Sequence, residues 1–363
     1  MDLSQQNILF FARTMGLGGT ENVVLQLCEI FKSKANKIVV CSCGGVNVSK
    51  LEKMGIQHIT IPDIESKSPS VMLNVAKTLN SIVKKENISV IHTHHRMAAF
   101  YVSALGLYKK CTFFNTSHNT FDNKKSLTRF AYNHTHLIAC GEMVKKNLVE
   151  QFDLAENQIS VIHNAVKPFD QKIVEDPLIK KLHDEGCFVI GNIGRLAEQK
   201  GMEYYIESVP YVIKNHPEAR FLIVGSGKDE NKLKQLVENK GISNYVYFLG
   251  YRTDVQNIMN QIDLVVLSSL WEGLPLTPIE AFSVGKTVVA TAVDGTPEII
   301  KNEKNGMLVQ AKNPIQIADK INYLIENPKK KESLEKNALI TFINEFSFDI
   351  LSEKYITEYK KYI

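Results

Sequence analysis

The residues whose types and spacing most directly suggest chemistry are two cations in one glycine-rich segment. Arg195 and Lys200 lie five positions apart in the segment GNIGRLAEQKG. The planar fork of an arginine beside the point charge of a lysine can bind a diphosphate. Such a pair can also stabilise a leaving pyrophosphate without a metal ion. Two independent surface cations would produce the same pattern, so the segment alone leaves both interpretations open.

Two carboxylates flank a stretch that cannot be one continuous helix. Glu272 and Glu280 lie eight positions apart in WEGLPLTPIEAFSVGK, with Pro275 and Pro278 between them. Thr277, Pro278 and Glu280 have the types expected at the N-cap, N1 and N3 positions of a helix. The sequence therefore predicts that Glu272 lies in a loop and that Glu280 lies in a first helical turn. A capping-box hydrogen bond is the structural alternative to a ligand contact for Glu280.

Backbone donors and glycine turns extend the set of groups that could bind an anion. The N–H groups near Leu274, Leu276 and Thr277 would lie at the positive end of the predicted helix dipole. Gly18 and Gly19 follow the first apolar run, in RTMGLGGTEN, where glycine lets the backbone approach an anion at a helix start. A turn that needs a positive φ would explain these glycines equally well. Their spacing is not that of the dinucleotide fingerprint.

The elements that must position these residues alternate between strand-like and helix-like segments. Continuous apolar runs, typical of strands covered on both faces, recur at 7–12, 37–42, 88–94, 111–117, 135–140, 158–164, 187–194, 219–227, 244–250, 262–269, 286–292 and 306–310. Segments of helical period separate them, which predicts parallel sheets. The pattern lapses over the polar residues 165–186, where we predict a hinge between two α/β domains. Ligands of such sheets bind beyond the carboxyl ends of the strands.

Composition excludes several classes of protein. The chain has 363 residues, 44% of them apolar, and a net charge of +4, as expected for a soluble protein of two domains. This charge gives no reason to expect a nucleic-acid partner. The six cysteines include no C-x-x-C pair, which predicts reduced thiols in the cytoplasm. The N-terminus has no signal-peptide pattern, and the longest apolar stretch, 97–108, is shorter than the ~20 residues of a membrane span.

The sequence resembles the retaining nucleotide-sugar glycosyltransferases of family 4, also described as glycosyl transferases group 1. The resemblance covers nearly the whole chain and is carried by GGTE (18–21), TSHN (116–119), VIHNAV (161–166), GRLAEQKG (194–201), VGSG (224–227), FLGYRTDV (248–255), EGLPLTPIE (272–280) and FSFD (346–349). It implies an α/β protein of the GT-B fold, in which two Rossmann-like domains face each other across a cleft. The implied parts are an acceptor-binding domain (1–168), a nucleotide-sugar-binding domain (169–345) and a C-terminal helix (346–363) that crosses back to the first domain.

The resemblance also implies roles for single residues. Arg195 and Lys200 match the pair that binds the diphosphate, and Glu272 matches a glutamate near the hydroxyls of the donor sugar. Glu280 matches a glutamate that accepts hydrogen bonds from ribose, and His118 matches a histidine near the donor sugar. The implied catalytic residues are His118, Glu272, Arg195 and Lys200. The implied donor-binding residues also include Gly18, Gly19, Asn164, Gly225, Tyr251, Leu274, Leu276 and Thr277.

The implied reaction transfers a hexose or N-acetylhexosamine from a nucleoside diphosphate sugar, with UDP favoured, to a glycan or lipid-linked acceptor of cell-surface polysaccharide synthesis. It retains the anomeric configuration and uses no cofactor and no metal ion, since the Asp-x-Asp pattern of metal-dependent transferases does not occur. A nucleotide-sugar epimerase of the same fold and a non-catalytic sugar-binding scaffold are the alternatives. Pro275 stands where many members have glycine and lacks an N–H donor, so donor identity stays open.

Histidines and pairs of adjacent basic residues in the first half of the chain could contribute to acceptor binding. His92 and His94 would share a strand face, as metal ligands could, but no third ligand accompanies them and we predict no metal site. We predict instead that His95 and Arg96 lie near the mouth of an acceptor pocket. Basic residues would fit an anionic membrane surface, while solvated helix faces would explain them as well. They form three groups: Lys109–Lys110, Lys124–Lys125 with Arg129, and Lys145–Lys146. We therefore expect a cytoplasmic protein that contacts a membrane, if at all, at its inner surface.

Overall fold

The computed structural model describes residues 2–363 and divides the chain into two compact units. The first unit combines the residues up to Asn164 with the C-terminal segment Leu351–Ile363, and the second unit runs from Ala165 to Ile350. Each unit contains one sheet in which all neighbouring strands are parallel, and helices connect successive strands. The prediction of two α/β domains with parallel sheets is therefore confirmed.

The first unit begins the alternation of strand and helix. Its strands are β1 (Asn7–Phe11), β2 (Lys37–Ser42), β3 (Gln57–Thr60), β4 (Val90–Thr93), β5 (Thr112–Ser117), β6 (His136–Ala139) and β7 (Ile159–Val161). Its helices are α1 (Gly19–Lys32), α2 (Val48–Lys53), α3 (Pro69–Lys85), α4 (Arg96–Ala104), α5 (Lys125–Tyr132) and α6 (Glu142–Phe152). The strand order is β3-β2-β1-β4-β5-β6-β7. The central strands are almost entirely buried, as strands with helices on both faces must be.

The second unit repeats this architecture with six strands. They are β8 (Phe188–Ile193), β9 (Ala219–Val224), β10 (Val246–Gly250), β11 (Leu264–Leu267), β12 (Val288–Thr291) and β13 (Met307–Val309). The helices are α7 (Pro177–Asp184), α8 (Met202–Ile213), α9 (Glu230–Asn239), α10 (Val255–Gln261), α11 (Leu276–Ser283), α12 (Thr296–Ile299), α13 (Pro314–Glu326) and α14 (Pro328–Thr341). The strand order is β10-β9-β8-β11-β12-β13.

The C-terminal helix α15 (Phe348–Lys360) packs on the sheet of the first unit. The hydroxyl of Tyr359 lies 2.6 Å from Nδ1 of His92 on β4. The hydroxyl of Tyr355 lies 3.2 Å from Oγ1 of Thr116 on β5. Both tyrosines are fully buried, and a buried hydroxyl without a partner would be costly. These two hydrogen bonds therefore fix the rotation of α15 about its axis.

The polar segment 165–186, predicted as a hinge between two domains, contains a helix. Asp176 caps α7, since its carboxylate accepts hydrogen bonds from the N–H groups of Leu178 and Ile179 at 3.0 and 3.4 Å. Pro177, which suggested a break, occupies the first helical position, where its missing N–H costs nothing. The segment is therefore helical over Pro177–Asp184, and the boundary between the two units lies at its start, between Asn164 and Ala165.

In both sheets the order of the strands reverses at one place. β1 has β2 on one side and β4 on the other, and β8 has β9 on one side and β11 on the other. The loops after two such strands diverge and leave a crevice at the carboxyl edge of the sheet. In the second sheet these loops carry Arg195 and Glu272; in the first sheet His95 lies in one of them, and Gly19 begins the helix after the other. These four predicted site residues therefore lie beyond the carboxyl ends of strands in their own unit.

The sequence also led to expectations about the cysteines, as reduced thiols, and about membrane-spanning helices. All six cysteines are free and five of them are buried. Burial raises the pKa of the Cys28 and Cys41 thiols, which makes them poor nucleophiles. Within residues 2–363, no helix combines the length and the apolar character that crossing a membrane requires.

Candidate active site

The loop after β8 is held against the loop after β11 by a close backbone approach. Gly201 ends the turn that contains Lys200 with a φ of +53°, and a Cβ atom at this position would collide with the carbonyl oxygen of Ser268. Only glycine fits there. The hydroxyl of Ser268 donates to the carbonyl of Lys200 at 2.9 Å, and the N–H of Leu270 donates to the carbonyl of Gln199 at 2.7 Å. The two loops therefore form one rigid edge.

Lys200 and Glu272 form an ion pair at this edge. The ammonium Nζ lies 2.6 Å from Oε1 of Glu272, and the two side chains are only 16% and 7% exposed. The same oxygen accepts a hydrogen bond from Ser269 at 2.6 Å, and the backbone N–H of Glu272 donates to the carboxylate of Asp294 at 2.7 Å. No hydrogen bond to Oε2 of Glu272 is found within residues 2–363. The carboxylate is thus held in one orientation with one oxygen available.

Arg195 is exposed at the same edge and is connected to the Glu272 loop through Gln199. The Arg195 guanidinium donates to Oε1 of Gln199 at 3.1 Å, and Nε2 of Gln199 donates to the carbonyl of Trp271 at 3.1 Å. A guanidinium has five N–H donors, so one hydrogen bond leaves most of them for an anion. Gln199 was not predicted as a functional residue, although it lies between the two predicted cations.

Helix α11 begins before the residue that was predicted to cap it. Its first residue is Leu276, Pro275 precedes it in an extended conformation, and no side chain caps this helix. Thr277 is buried inside the first turn, so its hydroxyl is not in the capping position. Glu280 is therefore the fifth residue of the helix, beyond the reach of a capping-box bond. The predicted N-cap at Thr277 and the capping-box interpretation are both wrong.

The carboxylate of Glu280 has no partner in the part of the chain that the structure describes. No hydrogen bond or ion pair to it is found within residues 2–363, and the side chain is partly buried. Burial raises its pKa from 4.5 to about 7, while the charge of Lys200 opposes this rise. Such a carboxylate is unfavourable unless some other group donates to it. The N–H groups of Leu276 and Thr277 have no acceptor inside α11 either, so the start of this helix offers both donors and an acceptor.

The turns after β9 and β10 lie beside the cation-bearing loop. The N–H of Gly225 donates to the carbonyl of Gly250 at 2.8 Å, and the N–H of Gly194 donates to the carbonyl of Val224 at 2.9 Å. Tyr251 follows directly and is 53% exposed. The structure therefore brings Gly225 and Tyr251, both predicted as donor-binding residues, to the carboxyl edge that carries the cations.

A turn after β12, which sequence reasoning missed, supports Glu272. Asp294 accepts the hydrogen bond from the N–H of Glu272 and has a positive φ of 41°. The N–H of Gly295 donates to the carbonyl of Gly273 at 3.1 Å, and a Cβ atom on Gly295 would collide with that oxygen. The Asp-Gly dipeptide is a turn signal, but nothing local shows that this turn crosses the Glu272 loop.

The glycine segment of the first unit carries its own carboxylate. Gly18 precedes α1 in an extended conformation, and Gly19 is the first residue of the helix. Glu21 lies in the first turn, and its carboxylate accepts a hydrogen bond from the hydroxyl of Thr14. An acidic side chain at a helix N-terminus interacts favourably with the helix dipole. A phosphate at Gly18 and Gly19 would have to displace or share this carboxylate.

His118 ends a row of three stacked histidines in the first unit. Nδ1 of His94 lies 3.1 Å from Nε2 of His118, and the two rings stack at 5.4 Å. The ring of His92 stacks on that of His94 at 4.4 Å. Burial lowers the pKa of His118 to about 4 and holds the pKa values of His92 and His94 well below their usual range. All three rings are therefore neutral near pH 7.

The two residues predicted at the acceptor already have protein partners. Nδ1 of His95 accepts a hydrogen bond from the N–H of Met97 at 3.1 Å and so caps α4. Arg96 donates to the carbonyl of Asn123 at 3.1 Å, and its guanidinium lies 4.7 Å from the centre of the Phe121 ring. Arg96 thus fixes the loop after β5. Within residues 2–363, no group of three His, Cys, Asp or Glu residues could hold a metal ion.

Several of the basic residues considered for membrane contact form ion pairs. Lys125 and Arg129 both pair with Asp153, at 2.8 and 3.2 Å. Lys145 pairs with Glu156 at 3.2 Å. Pairing reduces the positive potential that an anionic surface would meet. These contacts favour the interpretation of solvated helix faces.

The predicted site residues divide between the two units. At the carboxyl edge of the second sheet the structure places Arg195, Lys200, Gly225, Tyr251, Glu272, Leu274, Leu276, Thr277 and Glu280. In the first unit it places Gly18, Gly19, His95, Arg96, His118 and the buried Asn164. The densest polar cluster of predicted residues is therefore the one in the second unit.

Two family models match the chain. The model for Glycosyltransferase Family 4 matches residues 17–168, and the model for Glycosyl transferases group 1 matches residues 175–340. A curated relative is the UDP-Gal:alpha-D-GlcNAc-diphosphoundecaprenol alpha-1,3-galactosyltransferase of Escherichia coli. It is 26% identical over 355 residues, which cover 91% of this chain and 90% of the relative.

Solved structures share the fold. A glycosyltransferase from Rickettsia africae has a TM-score of 0.87 with 24% identity, over 98% of each chain. HepE from Anabaena, in complex with UDP, has a TM-score of 0.85 with 20% identity, over 98% of this chain and all of the other. These likenesses confirm the predicted GT-B fold.

Proposed function

Since the chain belongs to glycosyltransferase family 4 and has the GT-B fold, we propose that it is a retaining transferase acting on a nucleoside diphosphate sugar. The observation that carries this proposal is the polar edge of the second sheet. There Arg195 and the Lys200–Glu272 pair accompany the partnerless carboxylate of Glu280. The cations and the N–H groups at the helix start can bind the anionic phosphates of such a donor. The two carboxylates can accept hydrogen bonds from its hydroxyls.

The diphosphate is proposed to bind between the two cations and the start of α11. Arg195 supplies a fork of N–H donors, and Lys200 supplies a point charge that Glu272 now neutralises. The N–H groups of Leu276 and Thr277 add the positive end of the helix dipole. These fixed charges stabilise the diphosphate as the glycosidic bond to it breaks. They take the role that a metal ion has in other transferases, so the proposed reaction needs none.

The two carboxylates are proposed to bind opposite ends of the same donor. Glu280 accepts hydrogen bonds from the ribose hydroxyls, which satisfy its unpaired charge. Glu272 accepts from hydroxyls of the transferred sugar through Oε2, while Oε1 stays on Ser269. Retention follows if the acceptor hydroxyl attacks from the face that the diphosphate leaves, with a departing phosphate oxygen taking the acceptor's proton.

UDP is the proposed nucleotide, and a hexose or N-acetylhexosamine is the proposed sugar. The name of the Escherichia coli relative gives a UDP-sugar donor and a lipid-diphosphate acceptor, and HepE from Anabaena was solved with UDP. We extend this to a glycan or lipid-linked acceptor of cell-surface polysaccharide synthesis. Contact with an anionic inner membrane surface is part of the proposal for a lipid-linked acceptor only.

Transfer assays with Arg195→Ala test the proposed phosphate site. We expect the variant to lose about 10²-fold in kcat/KM for a UDP-sugar, as for the loss of one charge-stabilising donor. Lys240→Ala, which removes an exposed cation at the end of α9, is the matched control and keeps its activity. Equal activity of Arg195→Ala and wild type would refute the phosphate role.

Three further results would contradict the proposal. Activity that vanishes with EDTA and returns with a divalent cation would show that a metal ion, and not the cation pair, stabilises the diphosphate. Conversion of UDP-N-acetylglucosamine alone into UDP and a second free sugar would identify an epimerase. No binding of UDP in calorimetry at millimolar concentration would identify a non-catalytic scaffold.

A further inference from the structure

The contact between His94 and His118 restricts where the two rings carry their protons. His94 is 3% exposed, and its Nε2 atom has no hydrogen-bond partner within residues 2–363. Its Nδ1 atom lies 3.1 Å from Nε2 of His118. Each neutral imidazole has one N–H and one acceptor nitrogen. One of the two facing nitrogens must therefore carry a proton and the other must not.

The buried Nε2 atom of His94 decides between the two arrangements. If Nε2 of His118 donated, the proton of His94 would stand on its own buried Nε2, where an N–H group would be unsatisfied. Orphaned buried N–H groups are rarer than acceptors that lack a donor, and leaving one unsatisfied costs the desolvation of the group. If Nδ1 of His94 donates, only an acceptor is left without a partner. The second arrangement is favoured, and it leaves the proton of His118 on Nδ1.

We propose that His94 is a positioning residue that holds His118 in its Nδ1–H tautomer, so that His118 presents a neutral N–H donor to a substrate oxygen. The side chain of His118 is partly accessible, and no hydrogen bond to its Nδ1 is found within residues 2–363. A hydroxyl or phosphoryl oxygen of the substrate can accept from this N–H. In this tautomer His118 cannot act as a general base through Nδ1.

His92 supports His94 without touching His118 directly. Its Nδ1 bonds to the Tyr359 hydroxyl at 2.6 Å and its Nε2 to Oγ1 of Thr116 at 2.8 Å, so both nitrogens are occupied. Its ring stacks on His94 and fixes the plane of that ring. His92 therefore provides a control that is equally buried and adjacent but makes no hydrogen bond to His118.

Nitrogen-15 NMR of histidine-labelled protein reads the tautomer without any substrate. We expect wild type to show a protonated Nδ1 and an unprotonated Nε2 for His118, assigned by the signals lost in His118→Gln. His94→Asn keeps an amide N–H near the position of Nδ1 and retains this pattern. His94→Leu removes the donor, and His118 shifts to the Nε2–H form that free histidine prefers. His92→Phe keeps the Nδ1–H form.

Two results would overturn the proposal. One is a protonated Nε2 of His118 in wild type. The other is an unchanged Nδ1–H form in His94→Leu while circular dichroism shows that the variant is folded. If His94→Leu does not fold, the wild-type and His94→Asn spectra still decide the question, since the proposal requires the same tautomer in both.

The activity measurement rests on the proposed transferase function and is kept separate. We expect the kcat of His94→Leu to fall about tenfold, as the loss of one hydrogen bond to the reacting system predicts, with His94→Asn near wild type. If wild type transfers no sugar from any nucleotide donor, the proposed function fails while the tautomer result stands. If wild type is active and both His94 variants match it, the positioning role fails.

Discussion

Glu280→Gln is predicted to make the protein more stable at alkaline pH and a weaker binder of nucleotide. Burial raises the pKa of Glu280 to about 7, so the folded state prefers the neutral acid. Below pH 4.5 the side chain is protonated in both the folded and the unfolded chain, and it costs nothing. As the pH rises through 4.5 to 7, the unfolded chain ionises first, and the free energy of unfolding falls. The cost is complete above pH 7.

The size of this effect follows from the shift in pKa. The rise in the pKa of Glu280 from 4.5 to about 7, at 1.36 kcal/mol per unit, lowers the free energy of unfolding by at most about 3 kcal/mol. The side chain is only partly buried, and solvent screening reduces the effect to about half. Glutamine keeps the shape and removes the charge. For a unit of this size each 1 kcal/mol corresponds to about 2–4 °C in Tm, so we expect Glu280→Gln to raise Tm by about 5 °C at pH 8.

Thermal unfolding at pH 4.5 and pH 8 tests the sign as well as the size. The variant should match wild type at pH 4.5 and exceed it at pH 8. Glu238→Gln, at an exposed position near the end of α9, is the control and should change Tm by less than about 1 °C at either pH. A variant that is less stable than wild type at pH 8 would show that Glu280 has a stabilising partner, which contradicts the structure. Calorimetry with UDP should show about 10- to 100-fold weaker binding, because the variant cannot form the proposed charge-assisted bonds to ribose.

Three further predictions use the same site. The affinity of wild type for a UDP-sugar should fall by up to tenfold per pH unit below pH 7 as Glu280 takes up its proton, and Glu280→Gln should flatten this profile in calorimetric titrations. Glu272→Gln should bind UDP about tenfold more tightly, since Lys200 loses its partner, and yet transfer sugar more slowly; weaker UDP binding would contradict the pairing. Trp271 is the single tryptophan and is 48% exposed, so UDP should change the tryptophan fluorescence of wild type. The same concentration of UDP should leave the fluorescence of Arg195→Ala unchanged.

The strands were predictable from sequence wherever both faces are covered. Twelve apolar runs correspond to twelve of the strands, because a strand between two helical layers must be apolar along its length. The missed strand is β3 (Gln57–Thr60), at the edge of the first sheet, where the outer residues are exposed. An edge strand is held by backbone hydrogen bonds to one neighbour, as in the pairing of Cys41 with Ile59. Its side chains therefore carry little of the signal that identifies a buried strand.

The candidate site was predictable as a set of residue types but not as a set of contacts. Arg195, Lys200 and Glu272 were recognisable because binding and catalytic residues occur most often in loops, here the loops that follow strands. The support of Glu272 by Asp294, 22 positions away, depends on the crossing of two loops after different strands. No local pattern determines such a crossing. The contact between His94 and His118 likewise depends on the register of β4 against β5.

If a diphosphate binds at Lys200 as proposed, the ion pair of this lysine with Glu272 predicts that a nucleotide sugar binds more tightly than the nucleotide alone. A diphosphate that binds Lys200 must draw it from Glu272, and a carboxylate left without its partner is costly where only 7% of it is exposed. In the proposed binding mode an intact donor brings sugar hydroxyls that donate to the other oxygen of Glu272 and compensate for the lost lysine, whereas the released nucleotide brings none. We therefore expect Glu272 to compete with the diphosphate for Lys200 after transfer and to favour product release. On this argument the same carboxylate that orients the sugar also limits product inhibition, and Glu272→Gln should increase that inhibition as it slows transfer.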